Sequence, residues 1–384
     1  MSFTFKVALI FASLIMLSGS VSDSLAYAQV QQFQNQSGMN QPTQQGDLQP
    51  QQGSASNKPV GYMNWATRTL GGQQFWTDVR HASGWRIQVN SETGHFRLLD
   101  PSNVRHGWGN LAHCNILLDR LVVEGKAKLC SGKVVVVLHG LIRTNKSMVP
   151  MAQFLNQKGN YTTVNFQYAS TRKPVDDHAI ALRSVIDNLG PGVTEINFIG
   201  HSLGNIVVRR YLHDTTDPTT GHQGDPRVKR IVMIGPPNQG SRMARILKSS
   251  FLFNTIAGAS GSQLSRGWEK LAPTLATPKL EFGIIAGGQQ TEKDWSNFVL
   301  KGKDDFTVSL EEAKLVGASD LMVKPLLHST MMHKPVVLSA ALSFFKNGYF
   351  ESLAKKTPIS GAQNPTAGTQ PQRQPSNSNL GSGR

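Results

Sequence analysis

Cysteine is scarce in this 384-residue chain. There are two, Cys114 and Cys130, and no C-x-x-C pair, which excludes a disulfide-dense scaffold and a cysteine-rich zinc module. Acidic side chains are also few, 24 against 39 Lys and Arg, for a formal charge of +15. Such a balance favours acidic partners: nucleic acid, anionic lipid or a polyanionic envelope. The basic residues are scattered, however. No run of five or more Lys/Arg occurs and no nucleic-acid motif is present, so nucleic-acid binding is not expected. H-E-x-x-H is absent too, and His328 and His333 lack the i, i+4 spacing of that helix, so the reading calls for no metal and no cofactor. Beyond the first residues, no segment is long and apolar enough to cross a bilayer.

The N-terminus reads as a processing signal. Lys6 is a positive n-region, 7–17 (VALIFASLIML) an apolar h-region too short to span, and 26–28 (AYA) an A-x-A cleavage site. Residues 1–28 are therefore expected to be removed, leaving an exported protein that is periplasmic, extracellular or envelope-associated. An uncleaved anchor is the alternative. Residues 29–57 are dominated by Gln, and 356–384 are similarly polar; neither buries enough apolar surface to offset its chain entropy, so both are expected to be disordered. In an oxidising compartment, Cys114 and Cys130 are allowed a disulfide. Against it, Cys114 shares an apolar helical face with Leu111, Leu117, Leu118 and Leu121, the setting of a buried free thiol.

The rest divides in two. Residues 58–132 form an approach segment: 85–100 alternates on both sides of SETG, a β-hairpin pattern, and a helix follows at 110–123. From 133 to 355, strands alternate with helices. The spacing predicts strands at 134–140, 161–168, 195–199, 228–235 and 279–288, and helices at 147–158, 175–189, 203–213 and 335–347. This implies an α/β fold, a mostly parallel sheet with helices on both faces. Residues 236–278 interrupt the alternation. An insertion there lies over the carboxyl ends of the strands and is expected either to form a cap or lid or to pack as an ordinary helical excursion.

At 200–204 the chain reads Gly-His-Ser-Leu-Gly, after a strand and before a helix. A serine on so sharp a turn presents its Oγ above the sheet as a nucleophile, and the residues two before and two after it must be very small. Gly200 and Gly204 flank Ser202 in that way. The N–H of Leu203 then points at developing negative charge, and a second donor is expected after the first parallel strand, where Gly140 lets the N–H of Leu141 or Ile142 approach the acyl group. A serine hydroxyl needs a base, and on this arrangement the order is Ser, acid, His. Of the eleven histidines only His328 and His333 lie beyond any plausible acid, and His139 and His201 belong to the turn motifs. His328 is favoured because it follows an apolar run and precedes the last helix. The acid candidates are Asp294, Asp304 and Asp305; Asp305, heading DFTVS, is preferred.

These segments resemble the α/β-hydrolase superfamily, specifically its lipase/esterase-like branch: VVVLHGL at 135–141, GHSLG at 200–204, PPNQGS at 236–241, DFTVS at 305–309, LLHSTMM at 326–332 and QYASTR at 167–172. They fall in the family's order between about 133 and 347. The resemblance implies a metal-independent serine hydrolase that cleaves carboxylic esters through an acyl-enzyme, with Ser202 as nucleophile, Asp305 as acid, His328 as base and the Leu141 and Leu203 amides as the oxyanion hole. Asn205 and Phe306 both stand where the family commonly has Gly, and the second departure leaves Asp304 open beside Asp305. The partner expected is an ester or lipid substrate, with weak adhesion to an anionic membrane or envelope surface from the basic charge. Two other readings keep the fold: an acyltransferase or thioesterase using the same serine, and a catalytically silent binding scaffold.

Overall fold

Four consecutive valines, Val134 to Val137, lie on one strand and are fully buried, which requires cover on both faces of a sheet. In the computed structural model this strand, β6 (Gly132–Leu138), is paired on both sides in a sheet of six parallel strands. The structure describes residues 67–68, 73–240, 251–287 and 308–360, with backbone only at 67–68 and 251–256. The first 66 residues, positions 241–250 and 288–307 and the final 24 residues lie outside these. Asp294, Asp304 and Asp305 are therefore outside the described residues.

The other strands are β7 (Thr162–Phe166), β8 (Val193–His201), β9 (Val228–Ile234), β10 (Glu281–Gly287) and β11 (Asp320–Lys324), in the order β11-β10-β9-β8-β6-β7. Period-2 alternation sorts the valines. Val134 and Val136 face one core with α3 (Val175–Asp187) and α4 (Leu203–Asp214), while Val135 and Val137 face a second core with α2 (Val149–Gly159) and α8 (Pro335–Asn347). Each such side chain contributes roughly 1.5–3 kcal/mol of burial free energy. The mostly parallel α/β sheet with helices on both faces is thus as the sequence implies. From β6 the chain crosses outward to β7, returns to β8 beside β6, then proceeds the other way. The reversal opens a crevice at the carboxyl ends of β6 and β8.

The approach segment holds more than a hairpin and a helix. It is a five-stranded antiparallel sheet of β1 (Thr67–Arg68), β2 (Trp76–Ala82), β3 (Trp85–Asn90), β4 (Phe96–Leu99) and β5 (Val104–Gly109), in the order β1-β5-β4-β3-β2. Helix α1 (Leu111–Val123) covers one face. The hairpin and helix fall where expected, but β2 and β5 escape the pattern for physical reasons. A bulge between Asp78 and Arg80 breaks the alternation of β2. Strand β5 carries two glycines, and at Gly107 the crossing helix comes close enough that a Cβ would lie 2.4 Å from Leu117 Cδ1 and displace that methyl.

The cysteines do not pair. Cys114 sits in the small core under α1 and Cys130 in the main core beside Val134, so the disulfide allowed by the sequence is replaced by two buried free thiols. Burial pushes the Cys114 thiol up to about 12. At the other end, residues 356–360, expected to begin the C-terminal tail, are held: Thr357 N–H donates to Asp320 Oδ1 at 2.8 Å and Ile359 N–H to the Ala318 carbonyl at 2.9 Å.

The 236–278 insertion contains α5 (Phe251–Ser265) and a short α6 (Trp268–Leu271). Helix α5 is broken at Gly258, at φ 62°, where a side chain would strike the Thr171 carbonyl. The helix docks on the loop after β7. Ser260 Oγ donates to the Lys173 carbonyl at 2.9 Å, and the Gln263 amide accepts from Val175 N–H at 2.7 Å and donates to Asp176 at 2.9 Å. One further helix, α7 (Leu310–Ala313), precedes β11. Among the described residues no helix is long and apolar enough to cross a membrane.

Candidate active site

Between β8 and α4 the chain turns on Ser202, at φ 53° and ψ −118°. A non-glycine residue in that region is strained by about 1–3 kcal/mol and persists only if its surroundings impose it. Here they do. Ser202 N–H donates to the Ile234 carbonyl at 2.9 Å, and the Ser202 carbonyl accepts from Asn205 N–H and Asn205 Nδ2, both at 3.1 Å. Asn205 Nδ2 also reaches the Ile234 carbonyl, at 3.2 Å. The flanking glycines are steric necessities. A Cβ on Gly200 would lie 2.5 Å from Asn205 Oδ1, and one on Gly204 would lie 2.8 Å from Leu138 Cβ and 2.9 Å from the His139 carbonyl. Ser202 itself is half-buried rather than enclosed.

The loop leaving β6 comes to meet it. A Cβ on Gly140 would lie 2.9 Å from His201 Nδ1 and 3.2 Å from Ser202 Cβ, so only glycine permits this approach. Ile142 takes φ 62°, and Arg143 N–H returns to the Gly140 carbonyl at 3.3 Å, closing the turn. Among the described residues, neither Leu141 N–H nor Leu203 N–H donates a hydrogen bond. His139 fixes the base of the loop. It accepts from Tyr168 N–H at Nε2 (3.3 Å), which puts its proton on Nδ1, donating to the Gly140 carbonyl at 2.9 Å. Its ring stacks on Tyr168 at 4.1 Å, and the Tyr168 hydroxyl donates to the His139 carbonyl. Burial pushes the imidazole down to about 4, so it stays neutral.

His328 lies on the loop after β11, buried beside the elbow. His201 Nε2 donates to its carbonyl at 2.9 Å, and the two rings are 4.8 Å apart. The His328 ring rests on Gly235, where a Cβ would be 2.8 Å from Nδ1. Burial, then the Arg143 guanidinium, push His328 down to about 4. Burial, then the neighbouring His328 imidazole, hold His201 well below its usual value. Among the described residues no side-chain hydrogen bond joins Ser202 to the His328 ring. His333 is placed elsewhere: its Nε2 donates to the Ser147 carbonyl at 2.6 Å, at the start of α2.

The insertion reaches this crevice. A Cβ on Gly261 of α5 would touch Leu141 Cδ2 at 3.5 Å. Its two feet are held by Arg209 of α4, which is buried among oxygens. Nε donates to the Ala276 carbonyl at 2.9 Å and Nη1 to the Asn238 carbonyl and Oδ1 at 3.2 and 3.1 Å. Sequence reasoning noticed Asn205 only as a departure from the family pattern and missed Arg209, because their partners are distant in sequence. Among the described residues no group of three or more His, Cys, Asp or Glu converges as a metal site.

The parallel sheet, the helices on both faces and the serine on a strand-to-helix turn define an α/β-hydrolase. Residues 132–347, more than half of the chain, match the family described as alpha/beta hydrolase of unknown function (DUF915), and the chain belongs to that family. Solved structures match the chain at low similarity. The lipase BlEst2 of Bacillus licheniformis is 16% identical, with 56% of this chain and 92% of that one covered and a TM-score of 0.39. The hydrolase olei00960 of Oleispira antarctica is 14% identical, with 57% and 94% covered and a TM-score of 0.37. The esterase PF2001 of Pyrococcus furiosus is 16% identical, with 75% and 97% covered and a TM-score of 0.36. No curated protein matches the sequence.

Proposed function

We propose that this protein is an exported serine hydrolase that cleaves carboxylic esters through an acyl-enzyme on Ser202. The observation that carries the reading is the strained Ser202 backbone on the β8–α4 turn, beside His328, with no hydrogen bond donated by Leu141 N–H or Leu203 N–H among the described residues. In this mechanism the Ser202 hydroxyl attacks the ester carbonyl while neutral His328 takes its proton. The tetrahedral oxyanion is stabilised by the N–H groups of Leu141 and Leu203. His328 then gives the proton to the leaving alcohol, and water repeats the sequence on the acyl-enzyme. Asp305 is assigned to orient and stabilise the imidazolium. The Ser–His hydrogen bond is the element absent from the substrate-free geometry, and such bonds commonly tighten only with substrate bound.

The geometry of α5 over Leu141 supports an acyl pocket under the insertion, and hence ester or lipid substrates. The test is a panel of p-nitrophenyl esters from two- to sixteen-carbon acyl chains, with the mature chain and Ser202→Ala. Wild type is expected to turn over at least part of the panel, and the variant to lose about 10³-fold or more in kcat. Equal turnover by both proteins would remove the reading. Export is tested separately, by N-terminal sequencing of the secreted protein, with a start near Gln29 expected.

A further inference from the structure

The antiparallel sheet lies outside the region shared with the family, yet it grips the hydrolase core beside the Gly140 loop. Strand β7 is at the edge of the parallel sheet, so the residues following it have no strand neighbour on their open side. Strand β2 fills that place. Asp78 N–H donates to the Gln167 carbonyl at 2.8 Å, and Gln167 N–H donates to Asp78 Oδ2 at 2.8 Å. Next to this two-point clamp, Ala169 N–H donates to Thr77 Oγ1 at 3.0 Å.

Asp78 is completely buried and is itself braced. His81 Nε2 lies 2.8 Å from Oδ2, Gln88 Nε2 donates to Oδ1 at 2.6 Å, and the Arg86 guanidinium stands 4.0 Å from Oδ1. Burial alone would raise the carboxyl; His81, Arg86 and the Gln167 amide outweigh it and hold the group below its ordinary value. A buried carboxylate with four such partners is a rigid anchor, since removing any one leaves a desolvated group unpaired.

What it anchors is a pair of consecutive residues that hold the two ends of the loop. Gln167 Oε1 accepts from Asn145 N–H at 2.9 Å, at the far end. Its Nε2 donates to the Tyr168 carbonyl at 3.0 Å and the Gln73 carbonyl at 3.1 Å. Tyr168 holds the near end through the backbone N–H and the hydroxyl, both bonded to His139. Between these grips lie Gly140, Leu141, Ile142, Arg143 and Thr144.

We infer that Asp78 is a positioning residue for the oxyanion loop, acting through Gln167 and Tyr168, so that the antiparallel sheet is part of the catalytic apparatus. The inference rests on the ester-hydrolase reading above. Asp78→Asn, which keeps the size but changes the acceptor set, is expected to lower kcat on p-nitrophenyl butyrate by about 10- to 100-fold with KM within about twofold, the scale of a displaced oxyanion donor. Affinity for a trifluoromethyl ketone, whose adduct oxyanion needs the same amides, is expected to fall in parallel. Gln167→Ala is expected to reproduce the split and serves if Asp78→Asn does not fold.

Ser184→Ala is the control. Its hydroxyl also ties the core to β2, at the Val79 carbonyl (2.9 Å), but touches neither Gln167 nor the loop, and kcat is expected to hold. Hydrogen exchange gives a readout free of activity: peptides covering 139–145 are expected to exchange faster in Asp78→Asn than in wild type. Folded variants with wild-type kcat, ketone affinity and loop exchange would overturn the inference while leaving the esterase reading intact. An inactive wild type with faster loop exchange in Asp78→Asn would instead strike the esterase reading alone.

Discussion

Ser202 sits in a conformation that costs free energy in isolation, and three hydrogen bonds through Asn205 and Ile234 compensate for it. The adjacent glycines are part of the same arrangement, since a methyl group at either would collide with backbone. Gly204→Ala pushes a Cβ against the Leu138 side chain and the carbonyls ending β6, and overpacking of this kind costs about 1–3 kcal/mol. The expected outcome is a lower urea midpoint together with a loss of esterase activity larger than the stability change accounts for, because the β6 end also carries Gly140. A variant with unchanged activity would show that the elbow tolerates a wider separation. Much of this was legible beforehand. A strand pattern, two glycines around a serine and a helix pattern are local signals, and the structure places all of them as read. The part played by Asn205 was not legible, because its second acceptor is 29 residues away and only the sheet order brings it near.

At the scale of elements, α4 connects two features that the sequence presents separately. Its first turn follows Ser202, and two turns further on Arg209 holds both feet of the insertion. A buried guanidinium that donates to carbonyl and amide oxygens of two segments fixes their separation more rigidly than apolar contact does. Arg209→Met leaves those oxygens without donors and is expected to destabilise the fold by roughly 2–4 kcal/mol. It is also expected to change the ratio of long-chain to short-chain ester turnover, measured across the p-nitrophenyl series; a constant ratio would separate the insertion from the acyl site. The helices and strands of the parallel sheet were readable because buried strands flanked by periodic helices leave a strong pattern. The second sheet was half hidden, since the bulge of β2 interrupts its alternation and Gly107 of β5 answers to the crossing helix rather than to local propensity. Asp294, Asp304 and Asp305 stay ranked by sequence alone, as positions outside the described residues.

At the scale of the whole molecule, the imidazoles of His139, His178, His201 and His328 are buried and held neutral. Burial first, then neighbouring positive charge for all but His139, pushes His139 and His328 to about 4 and His178 to about 3, and holds His201 well below its usual value. Each folded value is depressed below the ordinary 6.5, so the unfolded chain binds protons that the folded one does not. Stability is therefore fully present above about pH 6.5 and is lost as the pH falls towards 4, with a slope approaching about 1.4 kcal/mol per pH unit for each imidazole. Urea unfolding between pH 8 and 4 is expected to show a midpoint that is flat at the alkaline end and falls steeply below 6.5. A midpoint independent of pH over that range would mean that these histidines are not buried as described. The depression of His328 also keeps it unprotonated and able to accept a proton at neutral pH.

The central claim, a nucleophilic hydroxyl at the β8–α4 turn, is tested most directly by a fluorophosphonate probe followed by peptide mapping of the folded mature protein. The account predicts one covalent adduct per chain, on Ser202, lost in Ser202→Ala and blocked by prior unfolding in urea. Absence of an adduct on the folded protein, or an adduct on a different serine, would contradict it.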